Sequence, residues 1–381
     1  MNISSFQQCS NCGACYNICP KGAISIKEDG MFYTPKVDSN LCIDCSLCTR
    51  VCPVNQQFKK NEPIYACAGW HEEDSVVSNS SSGGVFYGLS QYVLLNGGVV
   101  FAAVYSDDCK TVKFASSDDI QIEKMLKSKY VESLVGLSFQ KIKNELETGR
   151  TVLFCGTPCQ VAGLHSYLGK EYNCLITCDF ACGGLPSHKI YSEYISNLER
   201  KYCSKAYSVD FRPKTHGWRR YAIRIKFENG REYLRLGTED PYLRSFLYGK
   251  YTVRDYCLEC KFAENHASDI TIADFWLYEK FLSFKQDEGI SLILCNTTKG
   301  EKIVDSIRKQ YTITELDVEK AAYNNHVQIS EKKKNKHDEF LKFYVENGFD
   351  SAYKKYLYIP LKERLKSFIV RKFFRKRRKH S

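Results

Sequence analysis

Apolar and polar positions follow two different rhythms along this chain, and the rhythm changes near residue 64. The first stretch is punctuated by cysteine and glycine and closes on the polar run NQQFKKNEP at 55–63. From Ile64 onward, apolar segments long enough to be core elements alternate with Gly-rich turns. SSSGG leads into VFYGLSQYVLLN at 85–96, whose spacing predicts a helix stopped by Gly97-Gly98, and VVFAAVY at 99–105 follows as a strand. A helix is predicted at 138–149, a buried strand at 151–155, a helix at 161–169, a strand at 174–180 and a long helix at 187–202. YAIRIKFENGREYLRL at 221–236 alternates its side chains on both sides of an Asn-Gly turn, which predicts a hairpin in a second sheet. ASDITIADF at 267–275 and ISLILCN at 290–296 predict further strands. This mixture describes an α+β or α/β body in two lobes behind a small N-terminal unit.

Composition narrows the setting. The 381 residues, 43% of them hydrophobic, are enough for two to three domains with real cores. Nineteen cysteines in a chain this long, opening MNISSFQQCS without an apolar leader, point to a reducing cytoplasm in which clustered thiols are metal ligands or catalysts. No window reaches the roughly 18 apolar residues of a membrane span. The net charge of +11 is confined to the end of the chain: residues 331–381 hold 17 basic and 6 acidic side chains, and the rest is balanced.

The chemistry begins with a repeat. Cys9, Cys12, Cys15 and Cys19 before Pro20 have the spacing C-x2-C-x2-C-x3-C-P, and Cys42, Cys45, Cys48 and Cys52 before Pro53 have it again. Two-residue gaps let three thiolates of one loop converge on a cube of iron and sulfide, while the fourth reaches across to the partner cluster. The expected ligand sets for two 4Fe-4S clusters are therefore Cys9, Cys12, Cys15 with Cys52, and Cys42, Cys45, Cys48 with Cys19. Gly13, Ala14 and Ser46 leave room for the inorganic core, and Ile18 and Ile43 are placed to shield it. Zinc would hold four thiolates per site without the crossing, and disulfides are opposed by the compartment.

The remaining cysteines are less sharply patterned. Cys257 and Cys260 form one C-x2-C, and Cys159 and Cys182 each stand where a predicted strand meets a turn. Those four could hold a third 4Fe-4S cluster, with Cys155 and Cys178 as close competitors. Cys67, Cys109, Cys174, Cys203 and Cys295 read as small buried residues. Spacing alone does not decide the set.

Several linked segments carry a family resemblance. SSSGGVFYGLSQYVLLNGGVVFAAVY, VLFCGTPCQVAGLHSYL, CDFACGGLPS, VDFRPKTHGW, CLECKF and SDITIADFW occur in the order found in the family of coenzyme F-420 hydrogenase/dehydrogenase β subunits, which the chain resembles over about residues 64–300. The resemblance implies a flavoprotein body that binds FAD, exchanges electrons with iron-sulfur clusters and passes a hydride to or from an organic acceptor. It also matches Cys159, Cys182, Cys257 and Cys260 to cysteines near the flavin. The expected organisation is a 2x4Fe-4S ferredoxin-type domain at 1–60, lobes at 61–150 and 151–330, and a basic amphipathic tail at 331–381.

The expected cofactor site has a physical basis. Ser80 to Ser82 with Gly83 and Gly84 precede a helix and could cradle a diphosphate, although Ser and Gly there are also ordinary caps. Gly156, Thr157 and Pro158 offer a second close backbone approach. Arg212 and Lys214 could neutralise a phosphate or an anionic ring, Trp218 and Trp276 could flank the ring or simply fill the core, and Asp274 lies in the motif facing it. Three departures from the family pattern fall on this side: Gly183 where His is usual, Ala273 and Leu277 around Asp274-Phe275-Trp276, and no Arg before Ser268-Asp269. Asp179, His216 or Asp274 are the candidate proton donors.

The expected function is an iron-sulfur flavoprotein oxidoreductase carrying electrons from a ferredoxin through the clusters to FAD and on to an unknown organic acceptor, with surface polysaccharide biosynthesis as one setting. The rival is a non-catalytic electron-transfer or adaptor subunit of a larger redox complex. In the tail, Leu361, Leu365, Phe368, Ile369 and Phe373 share one face of a basic helix, which suits an anionic membrane surface better than nucleic acid or a solvated end.

Overall fold

The computed structural model describes residues 8–281, 288–324 and 336–358. The expected tail helix from Pro360 lies outside them. The strands run β1 Ile24–Asp29, β2 Phe32–Val37, β3 Tyr65–His71, β4 Val99–Tyr105, β5 Val112–Ser116, β6 Ser133–Leu134, β7 Val152–Cys155, β8 Leu175–Phe180, β9 Ala206–Asp210, β10 Ala222–Phe227, β11 Glu232–Leu236, β12 Ile270–Asp274, β13 Ser291–Cys295 and β14 Tyr311–Leu316. Strands β1 and β2 pair in the N-terminal unit; β11-β10-β9 form a small sheet; and nine strands form one mixed sheet in the order β14-β3-β13-β12-β8-β7-β4-β5-β6. The protein is thus α+β, a ferredoxin-like unit followed by a mixed α/β body.

The large sheet draws on both predicted lobes, β3 to β6 before residue 150 and β7, β8 and β12 to β14 after it. The expected boundary at residue 150 falls inside it. Alternation along β4 shows why: Val99 and Phe101 enter one core with Phe139, Ile142 and Leu164, while Val100 and Val104 enter the opposite core with Leu89, Val93 and Val304. Each such side chain contributes about 1.5–3 kcal/mol by leaving water. A third core joins helix His188–Tyr202 to the small sheet and takes in Phe340, Tyr344 and Phe349 of helix His337–Tyr356. Part of the stretch assigned to the tail is therefore packed on the body.

Strands β4, β7, β8 and β12 are mutually parallel, and β3 runs with them. Their carboxyl ends, at His71, Tyr105, Cys155, Phe180 and Asp274, share one edge, the edge where open α/β sheets bind ligands. The SSSGG turn folds onto it tightly. A Cβ on Gly83 would collide with the Gly69 carbonyl oxygen, and the Gly83 amide donates to Ser291 Oγ at 2.9 Å. Gly83→Ala is therefore expected to cost about 1–3 kcal/mol, read as a lowered urea midpoint.

Candidate functional site

Three groups of four cysteines form around this edge and the N-terminal unit. In the first, Cys9, Cys12 and Cys15 come from the loop around helix Ala14–Ile18 and Cys52 from the end of the second repeat. Burial pushes the Cys9, Cys12 and Cys15 thiols up, and the negative charge that Cys52 would carry raises them further. The Asn11 amide donates to Cys9 Sγ at 3.3 Å. In the second group, Cys19, Cys42, Cys45 and Cys48 line one small pocket with Pro20 and Ile43. The fourth cysteine of each repeat thus lies with the other repeat's three. Ile43 is 57% exposed and Leu41 51%, so the second group is the outer one.

The third group, Cys159, Cys182, Cys257 and Cys260, lines one small pocket with Ser10, Pro158, Leu185 and Tyr256. Cys159 sits in the first turn of helix Pro158–Leu168, where Thr157 and Gln160 form a reciprocal cap and the positive end of the helix favours a thiolate. Cys182 follows β8, Cys257 lies within the tight turn Asp255–Glu259, and Cys260 ends that turn. Burial pushes Cys159 and Cys257 well up and Cys182 to about 12, and the group's other sulfurs add to the effect. Buried sulfurs that would repel one another as thiolates are a donor set that a cationic iron core stabilises. Cys155 and Cys178 face each other across β7 and β8 and belong to the apolar core with Cys67 and Cys295. Cys109 is buried and Cys174 half-buried, but Cys203, expected inside, is exposed at the end of helix His188–Tyr202.

The first and third groups are neighbours. Cys159 Sγ lies 3.6 Å from the Ser10 carbonyl oxygen, and a Cβ on Gly163 would meet Cys12 Cβ at 2.9 Å and Sγ at 3.0 Å. Tyr256 feels sulfurs of both groups, Cys52 on one side and Cys159, Cys257 and Cys260 on the other. The order from surface to sheet edge is second, first, third.

Beyond the third group a contact path leads into a basic, aromatic cleft. Lys250 Nζ donates to the Gly183 carbonyl at 3.1 Å and lies 5.0 Å over Phe246, which packs 5.4 Å from Tyr130. Arg212 donates to Tyr130 Oη at 3.3 Å and to Asp274 at 2.7 Å, and it stacks 4.3 Å over Tyr221. Trp218 donates to Asp274 at 3.1 Å and stacks on Trp276 at 4.8 Å. Lys214 donates to the Val77 and Ser82 carbonyls, and burial together with the nearby Arg212 charge holds it down at about 8. Burial likewise holds Lys129 at about 7, inside a cage of the Met125, Leu126 and Lys127 carbonyls.

The expected site residues divide on this geometry. Arg212, Lys214 and Asp274 meet in the cleft. The backbone cradle is largely spent within the fold: the amides of Gly83, Gly156 and Thr157 go to Ser291, Cys178 and Gln160, Ser82 Oγ donates to the Ile290 carbonyl, Gly84 caps helix Val85–Leu95, and Pro158 has no amide hydrogen. Asp179 is sealed in the core against His266 at 2.8 Å and Thr271 at 2.6 Å, and His216 is exposed on a turn. Nothing in the sequence singles out Lys127, Ser128, Lys129 or Tyr130, because KSKYV resembles any solvated basic loop. The Ser81 and Ser128 hydroxyls lie 3.0 Å apart, which joins that loop to the SSSGG turn.

These features define an iron-sulfur redox protein. Residues 8–56 match the 4Fe-4S dicluster domain, and residues 149–321 match the C terminus of the coenzyme F420 hydrogenase/dehydrogenase beta subunit. The chain therefore carries a 4Fe-4S dicluster domain at its N-terminal end and, behind it, the C-terminal domain of the coenzyme F420 hydrogenase/dehydrogenase beta subunit. It is 23% identical over 323 residues to the coenzyme F420-dependent sulfite reductase of Methanocaldococcus jannaschii, covering 82% of this chain and 48% of that protein. It is 27% identical over 165 residues to the F subunit of the F(420)H(2) dehydrogenase of Methanosarcina mazei, covering 40% of this chain and 46% of that one. The chain thus spans about half the length of these two curated relatives. A chain of the F420-reducing NiFe hydrogenase complex from Methanosarcina barkeri superposes with a TM-score of 0.46 at 15% identity, over 78% of this chain and 92% of that one. Neither curated relative's name concerns polysaccharides. Among the described residues, no helix is long and apolar enough to cross a membrane.

Two outcomes follow from the geometry. Gly163→Val is expected to unseat the Cys12 loop and lower iron content by about four per chain, measured by metal analysis. Lys214 is charged below its pKa, so positive charge in the cleft is lost as pH rises through about 8. Calorimetric binding of inorganic pyrophosphate should weaken by about tenfold between pH 7 and 9, and Lys214→Met should flatten that dependence.

Proposed function

We propose that this chain is an oxidoreductase subunit that carries electrons between a ferredoxin-type partner at its outer cluster and a two-electron carrier at the sheet edge, through three 4Fe-4S clusters. The observation that carries this reading is the unbroken order of three four-cysteine groups from the surface to the cleft. Cys159, Cys182, Cys257 and Cys260 are the ligands of the third cluster in this reading. The cleft's cations and aromatic rings suit a planar, phosphate-bearing cofactor, and FAD is the one we assign. Lys214, with the Ser81 and Ser128 hydroxyls, would hold its phosphates, and Arg212, Tyr221 and Trp276 its ring. A bound flavin supplies the exchange between single electrons and a hydride. Arg212, fixed by Asp274, keeps a permanent positive charge at the ring. The names of the two curated relatives make reduced coenzyme F420 the organic partner to test first.

The test is anaerobic reconstitution followed by iron analysis, acid extraction of flavin, and addition of reduced coenzyme F420 while cluster absorbance is followed. About twelve irons per chain, one FAD, and bleaching of the clusters are expected. Cys260→Ser should leave about eight irons with the N-terminal clusters intact. About eight irons in the unmodified protein would remove the third cluster. Three clusters without flavin would leave an electron-transfer or adaptor subunit.

A further inference from the structure

Between the first and third cysteine groups lies a charge pair wholly shut off from water. Glu132 and Arg254 are 0% and 1% exposed. Arg254 Nε donates to Glu132 Oε1 at 3.1 Å, and the pair is doubled by Nη2. The guanidinium also donates to the Cys9 carbonyl at 3.3 Å and the Tyr33 carbonyl at 2.5 Å, while the Arg254 carbonyl accepts the Cys257 amide at 2.9 Å. One residue therefore grips the Cys9 loop with its side chain and the Cys257 turn with its backbone.

The carboxylate completes the clamp from the other side. Glu132 Oε1 also accepts from Asn11 Nδ2 at 3.1 Å, and the Asn11 amide donates to Cys9 Sγ. Glu132 Oε2 accepts the Tyr33 amide at 3.1 Å and faces His188 Nδ1 at 3.2 Å. The negative end is thus surrounded by donors, and the positive end is turned toward Cys9. In a water-excluded region such an oriented pair acts with little screening.

We propose that Arg254, held in place by Glu132, is a positioning residue that sets the reduction potential of the first cluster and fixes it against the third. An electron added to the first cluster is stabilised by the positive end of the pair, which makes that cluster easier to reduce than its four thiolates alone would allow. The part of this inference that concerns the third cluster rests on the three-cluster reading above. The part that concerns the first cluster rests on the dicluster domain alone.

The test is an EPR-monitored redox titration of the full, iron-loaded chain with Arg254→Met combined with Glu132→Leu. This swap removes both charges together, the change that buried ion pairs tolerate best. With all iron retained, the equilibrium constant for reducing the first cluster should fall about tenfold, equivalent to about 59 mV for one electron, while the outer cluster is unmoved. Arg254→Lys keeps the charge and should return most of the shift even if the double variant folds poorly. An unchanged first-cluster potential in the iron-replete double variant would overturn the proposal. If the unmodified protein holds only about eight irons, the three-cluster reading fails, and the first-cluster shift still decides the role of Arg254.

Discussion

The closeness of the Cys12 loop to helix Pro158–Leu168 is the constraint on which the rest of the molecule depends. At Gly163 the helix offers bare backbone, and on the other side of the loop Gly13 meets Val135, whose Cβ would lie 2.9 Å from any Cβ placed there. Cys12 and Ala14 consequently share a core with Phe139, Leu164 and Phe262. A side chain at either glycine would push the loop outward and open room for water. The N-terminal unit is therefore a seated part of the body, and the insulating medium between its inner cluster and the sheet edge is close-packed protein.

Polar contacts specify the seating that the apolar contact permits. Asn17 Nδ2 donates to the Gly13 and Gly136 carbonyls at 2.9 Å, and Gln140 donates to the Asn17 carbonyl at 2.8 Å. With Glu132 engaged by Asn11, Tyr33, His188 and Arg254, segment 130–136 reads out the position of the whole N-terminal unit. Burying Glu132 is costly, and the cost is offset because each oxygen has several donors.

The elements with strong periodicity were legible in the sequence: the helices at 85–95, 138–147 and 188–202, the strands around 99–105 and 175–180, and the Asn229-Gly230 hairpin all form where the pattern places them. Cysteine spacing revealed the dicluster domain, because metal geometry imposes a local rule that few other constraints mimic. What could not be read was long-range. Strand β3 inserts between β13 and β14, which are more than two hundred residues away, so the sheet joins stretches that look like separate lobes. Lys129, Glu132 and Arg254 carry surface-type side chains whose burial depends on partners distant in the chain. The backbone amides of the Gly-rich turns suggested a phosphate cradle, but strand packing uses them first.

The separation of the cysteines along the chain also orders assembly. The first two groups are complete by Cys52, within a unit that carries its own hairpin. The third spans Cys159 to Cys260, and Cys182 is placed by β8, which sits between β7 and β12 in the sheet. That group does not exist until most of the body has folded around it. The N-terminal groups can therefore come together while the rest of the chain is still emerging, and the innermost group is the last to acquire its shape.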